Sequence, residues 1–196
     1  MTILTYIILG IFGALVLWSV WAYNNFVKLI NRAQEAWADI DVQLKRRYDL
    51  IPNLVNTVKG YAAHERGTFN EVTEARTKAT QIHVDPSNVT PEQIAAMAGA
   101  ESALTQSLGK LLAIAENYPD LKASENFLEL QRELSDTENK IQAARRFYNT
   151  NVRDLNTALE SFPQNVIGNM FKFEAREFFE LDEAEAAAKE PVGVSF

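Results

Sequence analysis

The chain has 196 residues, with 19 Lys and Arg against 26 Asp and Glu, a formal net charge of −7 and no cysteine. No charged side chain precedes Lys28, so the acidic balance belongs wholly to the rest of the chain, and it argues against nucleic acid, whose phosphates call for clustered cations. The missing cysteines exclude disulfides, thiolate nucleophiles and Cys-ligated metals.

Ile3 to Tyr23, ILTYIILGIFGALVLWSVWAY, is a run of 21 residues without a charge. About 20 apolar helical residues cross a ~30 Å hydrocarbon core, so the run predicts a single membrane-spanning helix within residues 1–25. Trp18, Trp21 and Tyr23 gather at its C-terminal end, where amphipathic rings prefer the headgroup level. A cleaved signal peptide is the rival reading, but there is no basic n-region and the run exceeds the usual ~7–15-residue apolar core. Gly10 and Ala14 form a small-xxx-small pair of the kind that brings two such helices together. Lys28 and Arg32 follow the run, and the positive-inside rule then places the N-terminus outside and the remainder in the cytoplasm. The expected partner here is the lipid bilayer, met by Trp18, Trp21, Tyr23, Lys28 and Arg32.

Residues 26–171 read as helix nearly throughout. Phe26, Ile30, Ala33, Trp37, Ile40, Leu44, Tyr48, Ile51, Val55, Val58 and Ala62 recur in steps of three and four, the spacing of one helix face. This stripe keeps its phase across Pro52. That favours one helix bent at the proline over a restart with Asp49 as N-cap, although the ring removes the amide that would bond the Tyr48 carbonyl, at ~3 kcal/mol. A second stripe is Ile94, Met97, Glu101, Leu104, Leu108, Leu111, Ala115 and Tyr118, introduced by Thr90 as N-cap and Pro91 in the first helical position. Glu101 interrupts its apolar face. It is expected at the wet rim, with a buried pair to an Arg of a neighbouring helix as the alternative.

A third stripe runs from Phe127 through Leu134, Ile141, Tyr148, Val152 and Leu155 to Phe162, in coiled-coil-like steps with one stutter at Tyr148–Val152. Residues 124–162 would make a helix of about 58 Å, at roughly 1.5 Å per residue. Residues 83–93 and 116–124 read as loops, and ERGTF at 65–69 as a break. No β-branched alternation supports a strand. The predicted fold is therefore all-α: an N-terminal transmembrane helix followed by an elongated antiparallel bundle of three to four long helices. Residues 172–196 form an aromatic and then acidic tail. Phe171, Phe173, Phe178 and Phe179 are expected to dock on the bundle, a partner or the membrane, with fraying after about 183.

Chemistry is sparse. His64-Glu65 lacks the second His of a metalloprotease helix, since Thr68 stands there. With two histidines and no cysteine, no metal site and no cofactor is expected. Paired carboxylates such as Glu71 with Glu74, or Glu129 with Glu133, read as solvated helix faces. Lys45, Arg46, Arg47 and Arg145, Arg146 are the densest basic spots. Three successive helix residues fan over about 200° and cannot face one partner. Pairing with nearby acids such as Asp41, Asp49 or Glu138 is favoured over contact with lipid headgroups. No catalytic constellation emerges, so an enzyme is not expected.

The segments AWADIDVQLKRRYDLIPNLVNTVKGYAAHE, AENYPDLKASENFLELQRELSDTENKIQAARRFYNTNVRDLN and SFPQNVIGNMFKFEAREFFE resemble the LemA family, a likeness that covers roughly residues 5–180. ERGTFNEV departs from it, since a more charged helix is usual there. The resemblance implies a bacterial inner-membrane protein with one N-terminal anchor, a long helical bundle and no established catalytic residues. Through members from magnetosome-forming bacteria it also implies a link to membrane invagination. The expectation is a non-enzymatic scaffold that forms a homo-oligomer and organises membrane or partner proteins. The alternative is a stalk-like adaptor or sensor presenting a surface, such as the 171–179 aromatics, to a signalling or proteolytic partner.

Overall fold

A computed structural model of the chain describes residues 2–87 and 89–180. Among these the architecture is all-α: α1 (Thr2–Tyr61), α2 (Arg66–Gln81), α3 (Pro91–Ala115), the short α4 (Pro119–Lys122), α5 (Glu125–Glu160) and α6 (Gln164–Met170). The apolar N-terminal run and the first bundle helix are one element of 60 residues, about 90 Å long. Residues 2–17 are exposed along their whole length, with no protein cover.

From Trp18 onward α1 packs antiparallel against α5, and three apolar clusters follow one another along the pair. Nearest the N-terminal run are Ala22 and Phe26 with Leu155, Ala158 and Ile167. In the middle Trp37, Ile40 and Leu44 meet Ile141, Tyr148 and Val152. At the far end Ile51, Leu54 and Val58 meet Phe127 and Leu134, joined by Phe69 and Val72 of α2 and Leu104 and Leu111 of α3. Leu121 of α4 closes that end. The threes-and-fours spacing is realised here: each stripe lies along the seam of its helix.

Pro52 lies inside α1, and the helix runs through it unbroken. The Tyr48 carbonyl, which loses its usual amide donor to the proline ring, accepts instead from Arg76 Nε at 2.7 Å. A side chain of α2 thus replaces the missing intrahelical bond, so the restart at Asp49 does not occur. The break near 65–69 falls slightly earlier, over residues 62–65, and Gly67 belongs to the first turn of α2. Thr90 caps α3 as expected, in a full capping box with Gln93. Within the 116–124 loop, residues 119–122 form the single turn α4. Phe162 does not join the α5 seam; the helix ends at Glu160 and the ring is 82% exposed.

After α6 the chain turns back through Lys172, at φ 57°, with Phe173 N–H donating to the Gly168 carbonyl and Lys172 N–H to that of Asn169. This is a Schellman-type ending with a lysine in the left-handed position that glycine usually takes. Residues 173–180 then run antiparallel to α5 and pack on the bundle. The expected fraying beyond 183 lies outside the described residues.

Removal of the Arg76 donor tests how Pro52 is tolerated. Arg76→Met should cost about 1–3 kcal/mol in chemical denaturation, the worth of a hydrogen bond from a charged donor to a half-buried acceptor. In a Pro52→Ala background, where residue 52 again supplies an amide, most of that cost should disappear.

Candidate functional site

Two features combine polar or aromatic side chains from several elements: a buried charge cluster in the middle of the bundle and an aromatic seam near the apolar run. The cluster begins with Arg47 and Tyr48, adjacent on α1 and both turned inward. The Arg47 guanidinium lies 3.0 Å from Glu101 Oε2, donates to Thr105 Oγ1 at 2.7 Å, and approaches Glu138 Oε2 of α5 at 3.5 Å. The Tyr48 hydroxyl donates to the other Glu101 oxygen, so both carboxylate oxygens are engaged. Arg47 and Glu101 are each 3% exposed.

Glu101 is thus no rim residue; the buried pair is what the structure holds. Its place on the α3 stripe points it inward, where ionised carboxylate must find a cation and hydrogen bonds. Burial pushes the Glu101 carboxyl above its ordinary range, opposed by the Tyr48 donor and Arg47. Burial, reinforced by Glu101, pushes the Tyr48 hydroxyl up. The phenol therefore stays a donor at neutral pH. The cluster ties α1, α3 and α5 at one level and sits below an open groove of about 570 Å³ between α3 and α5, whose walls include Leu108, Leu112 and Leu134.

The other cations of the KRR run diverge as helical azimuth requires. Arg46 points outward, 3.8 Å from Asp136, which also holds Lys140 at 2.8 Å. Exposed pairs of this kind contribute little. Lys45 is exposed at the edge of a second cavity, about 400 Å³, bordered by Asp41, Tyr48, Arg76 and His83. Arg145 is buried, its guanidinium 5.1 Å from the centre of the Phe179 ring, whereas Arg146 is exposed.

The aromatic seam is built by α1 and the segment after α6. Phe171 meets Tyr23 edge-on at 4.8 Å between ring centres, and Phe173 lies 5.1 Å from Phe26. Phe179 is 1% exposed and packs T-shaped on Trp37 at 5.6 Å, against which Tyr148 also stacks at 5.1 Å. Phe171 and Phe178 keep exposed faces, as do Trp21, Tyr23, Lys28 and Arg32, while Trp18 is partly covered.

The backbone of the segment is held by two asparagines seven residues apart on α5. Asn156 accepts from Arg176 N–H and donates to its carbonyl; Asn149 does the same for Phe179. Each amide imitates the two bonds of a neighbouring strand. The Tyr148 hydroxyl, pushed up to about 12 mainly by burial, donates to the Glu177 carbonyl, and Arg176 Nη1 donates to that of Pro86. Of the three dockings the sequence leaves open for these aromatics, the bundle takes Phe173 and Phe179. The Asn149 and Asn156 clamps were not legible from spacing alone, although a pair of amides at i, i+7 on one helix face is a usable hint. Among the described residues, no group of three or more His, Cys, Asp or Glu is placed to hold a metal ion.

Fold and site together define an all-α bundle continuous with a helix long and apolar enough to cross a membrane. The LemA family model matches residues 36–196, and the chain belongs to that family. It is 25% identical over 174 residues to "Magnetosome protein MamQ" of Magnetospirillum gryphiswaldense, with 80% of this chain and 64% of that protein covered. To "Magnetosome protein MamQ 2" of Paramagnetospirillum magneticum it is 25% identical over 175 residues, covering 81% and 64%. It is 28% identical over 165 residues to "Protein LemA" of Metamycoplasma hominis, covering 81% and 72%. The chain thus spans just under two thirds of the length of the MamQ proteins it matches.

The charge cluster should behave as a unit. Arg47→Met leaves the Glu101 carboxylate buried without its cation and should cost about 3–5 kcal/mol in denaturation of the detergent-solubilised protein, whereas Glu101→Leu leaves Arg47 the approach of Glu138 and should cost less. The double variant should be far less destabilised than the sum of the two; strict additivity would show that the groups do not interact.

Proposed function

We propose that the protein is a non-enzymatic, membrane-anchored helical scaffold that oligomerises through its anchor or its bundle and organises membrane or partner proteins. The observation that carries this reading is the continuity of α1, which runs as one helix from the uncovered apolar run to the far end of the bundle. A bundle joined to its anchor by a helix, instead of a flexible linker, transmits orientation and force between assembly and bilayer. The buried polar groups of the middle cluster are satisfied largely by one another, which favours a structural role over a reactive one. The likeness to proteins named for the magnetosome supports a place at a membrane. Lys28 and Arg32 beyond the run support a cytoplasmic bundle of a single-pass inner-membrane protein.

A second reading, a partner-binding adaptor, draws on the groove between α3 and α5, whose apolar walls and polar margins (Gln131, Asn139) suit an amphipathic segment. It does not favour the 171–179 aromatics, because Phe173 and Phe179 are already committed to the bundle.

Cross-linking of the full-length chain in native membranes should yield dimers or larger species that persist when Leu112→Arg blocks the groove. Monomers alone would sink the scaffold reading, and loss of a cross-linked partner with Leu112→Arg would favour the adaptor. A C-terminal reporter should read as cytoplasmic; an extracytoplasmic signal would reverse the orientation.

A further inference from the structure

Most large apolar side chains exposed outside the N-terminal run are scattered singly, as Val42, Tyr61, Leu128 and Phe147 are. One group is not. Phe162 stands just before α6, Val166 and Met170 share one face of it at an interval of four, and Phe171 follows its last residue. Their exposures are 82%, 50%, 67% and 51%. The opposite face of α6 is committed to the bundle: Ile167 and Gly168 are buried, and a Cβ on Gly168 would lie 3.0 Å from Leu159 and 3.4 Å from Phe26. Such close packing fixes which way the apolar face points.

The level of this face along α1 decides what covers it. Ile167 and Leu159 cluster with Trp18, Ala22 and Phe26, and Phe171 stacks on Tyr23. The apolar run, at 21 residues, is about 31 Å long, close to the ~30 Å hydrocarbon thickness. Its last six residues, Trp18 to Tyr23, occupy about 9 Å, and α6 stands beside them. If the run crosses a bilayer, α6 must therefore lie where acyl chains give way to headgroups. A water-facing apolar stripe would be costly there, and a lipid-facing one favourable. The polar neighbours Gln164, Asn165 and Asn169 limit the depth to this boundary, and Lys172 beside Phe171 can extend its ammonium to the phosphates.

We infer that α6 is a membrane-embedded foot: Phe162, Val166, Met170 and Phe171 insert into the acyl–headgroup boundary of the same bilayer that α1 crosses. The inference rests on the anchor reading proposed above. It adds a second point of contact about one helix diameter from α1, which fixes the tilt and rotation of the bundle relative to the membrane. A single spanning helix leaves both to its interfacial Trp, Tyr, Lys and Arg side chains.

Because the chain has no cysteine, single labels can be placed cleanly. The full-length protein, reconstituted in phosphatidylcholine–phosphatidylglycerol vesicles, carries a nitroxide at Phe162→Cys or Met170→Cys, with Ile11→Cys and Val42→Cys as references. Collision with oxygen should exceed collision with a water-soluble nickel chelate at 162 and 170, and nickel accessibility should fall several-fold below that at Val42. Nickel accessibility at 162 and 170 equal to that at Val42, with Ile11 protected, would overturn the foot alone. An Ile11 label open to nickel would overturn the anchor and the foot together.

Discussion

Everything else is arranged around α1, which remains a single helix over 60 residues while its surroundings change from no protein cover to a packed bundle. Its first part is apolar around the whole circumference and has no protein cover. Its second part is apolar along one stripe only, buried against α5 and the α2–α3 hairpin. Pro52 threatens that continuity at the point where the stripe meets the charge cluster. Arg76 restores it by donating to the Tyr48 carbonyl, while the Tyr48 side chain donates to Glu101. One residue therefore links the repair of the backbone to the buried ion pair.

The ion pair is better understood as a register device than as a source of net stability. Burying Arg47 and Glu101 carries a desolvation penalty that their attraction need not exceed. A shift of α3 by one turn along α1 would strand Glu101, however, and would leave Arg47 with only the longer approach to Glu138 of α5. The apolar seams by themselves tolerate such slips more readily, because one aliphatic contact replaces another. Between this cluster and the apolar run, the tail is fixed by specific backbone bonds from Asn149 and Asn156 and by the Phe179 ring between Trp37 and Arg145.

Much of this was legible in the sequence because helix periodicity is a local signal. The three stripes, the Thr90 cap and the helical passage through Pro52 follow from spacing and capping chemistry within one element. What the spacing could not give is which side of a helix meets a neighbour. Glu101 reads as a rim residue on α3 alone; only α1, folded against it, supplies the guanidinium that makes burial tolerable. The Arg76 donor is equally non-local, 28 residues from the carbonyl it serves. Phe162 continues the α5 rhythm but falls past the helix end, where rhythm no longer reports direction. The tail aromatics carry no period at all, so their docking depended on amides of another element.

On this reading α1 joins the anchor to the bundle as one rigid helix. Pulsed electron–electron distance measurement between labels at Ile11→Cys and Val42→Cys tests it directly, since both side chains are exposed and the chain has no other cysteine. Across 31 residues of unbroken helix the separation in vesicles should be narrowly distributed around about 46 Å. A broad distribution, or one centred well below that distance, would mean that the helix breaks between bilayer and bundle, and would contradict the account.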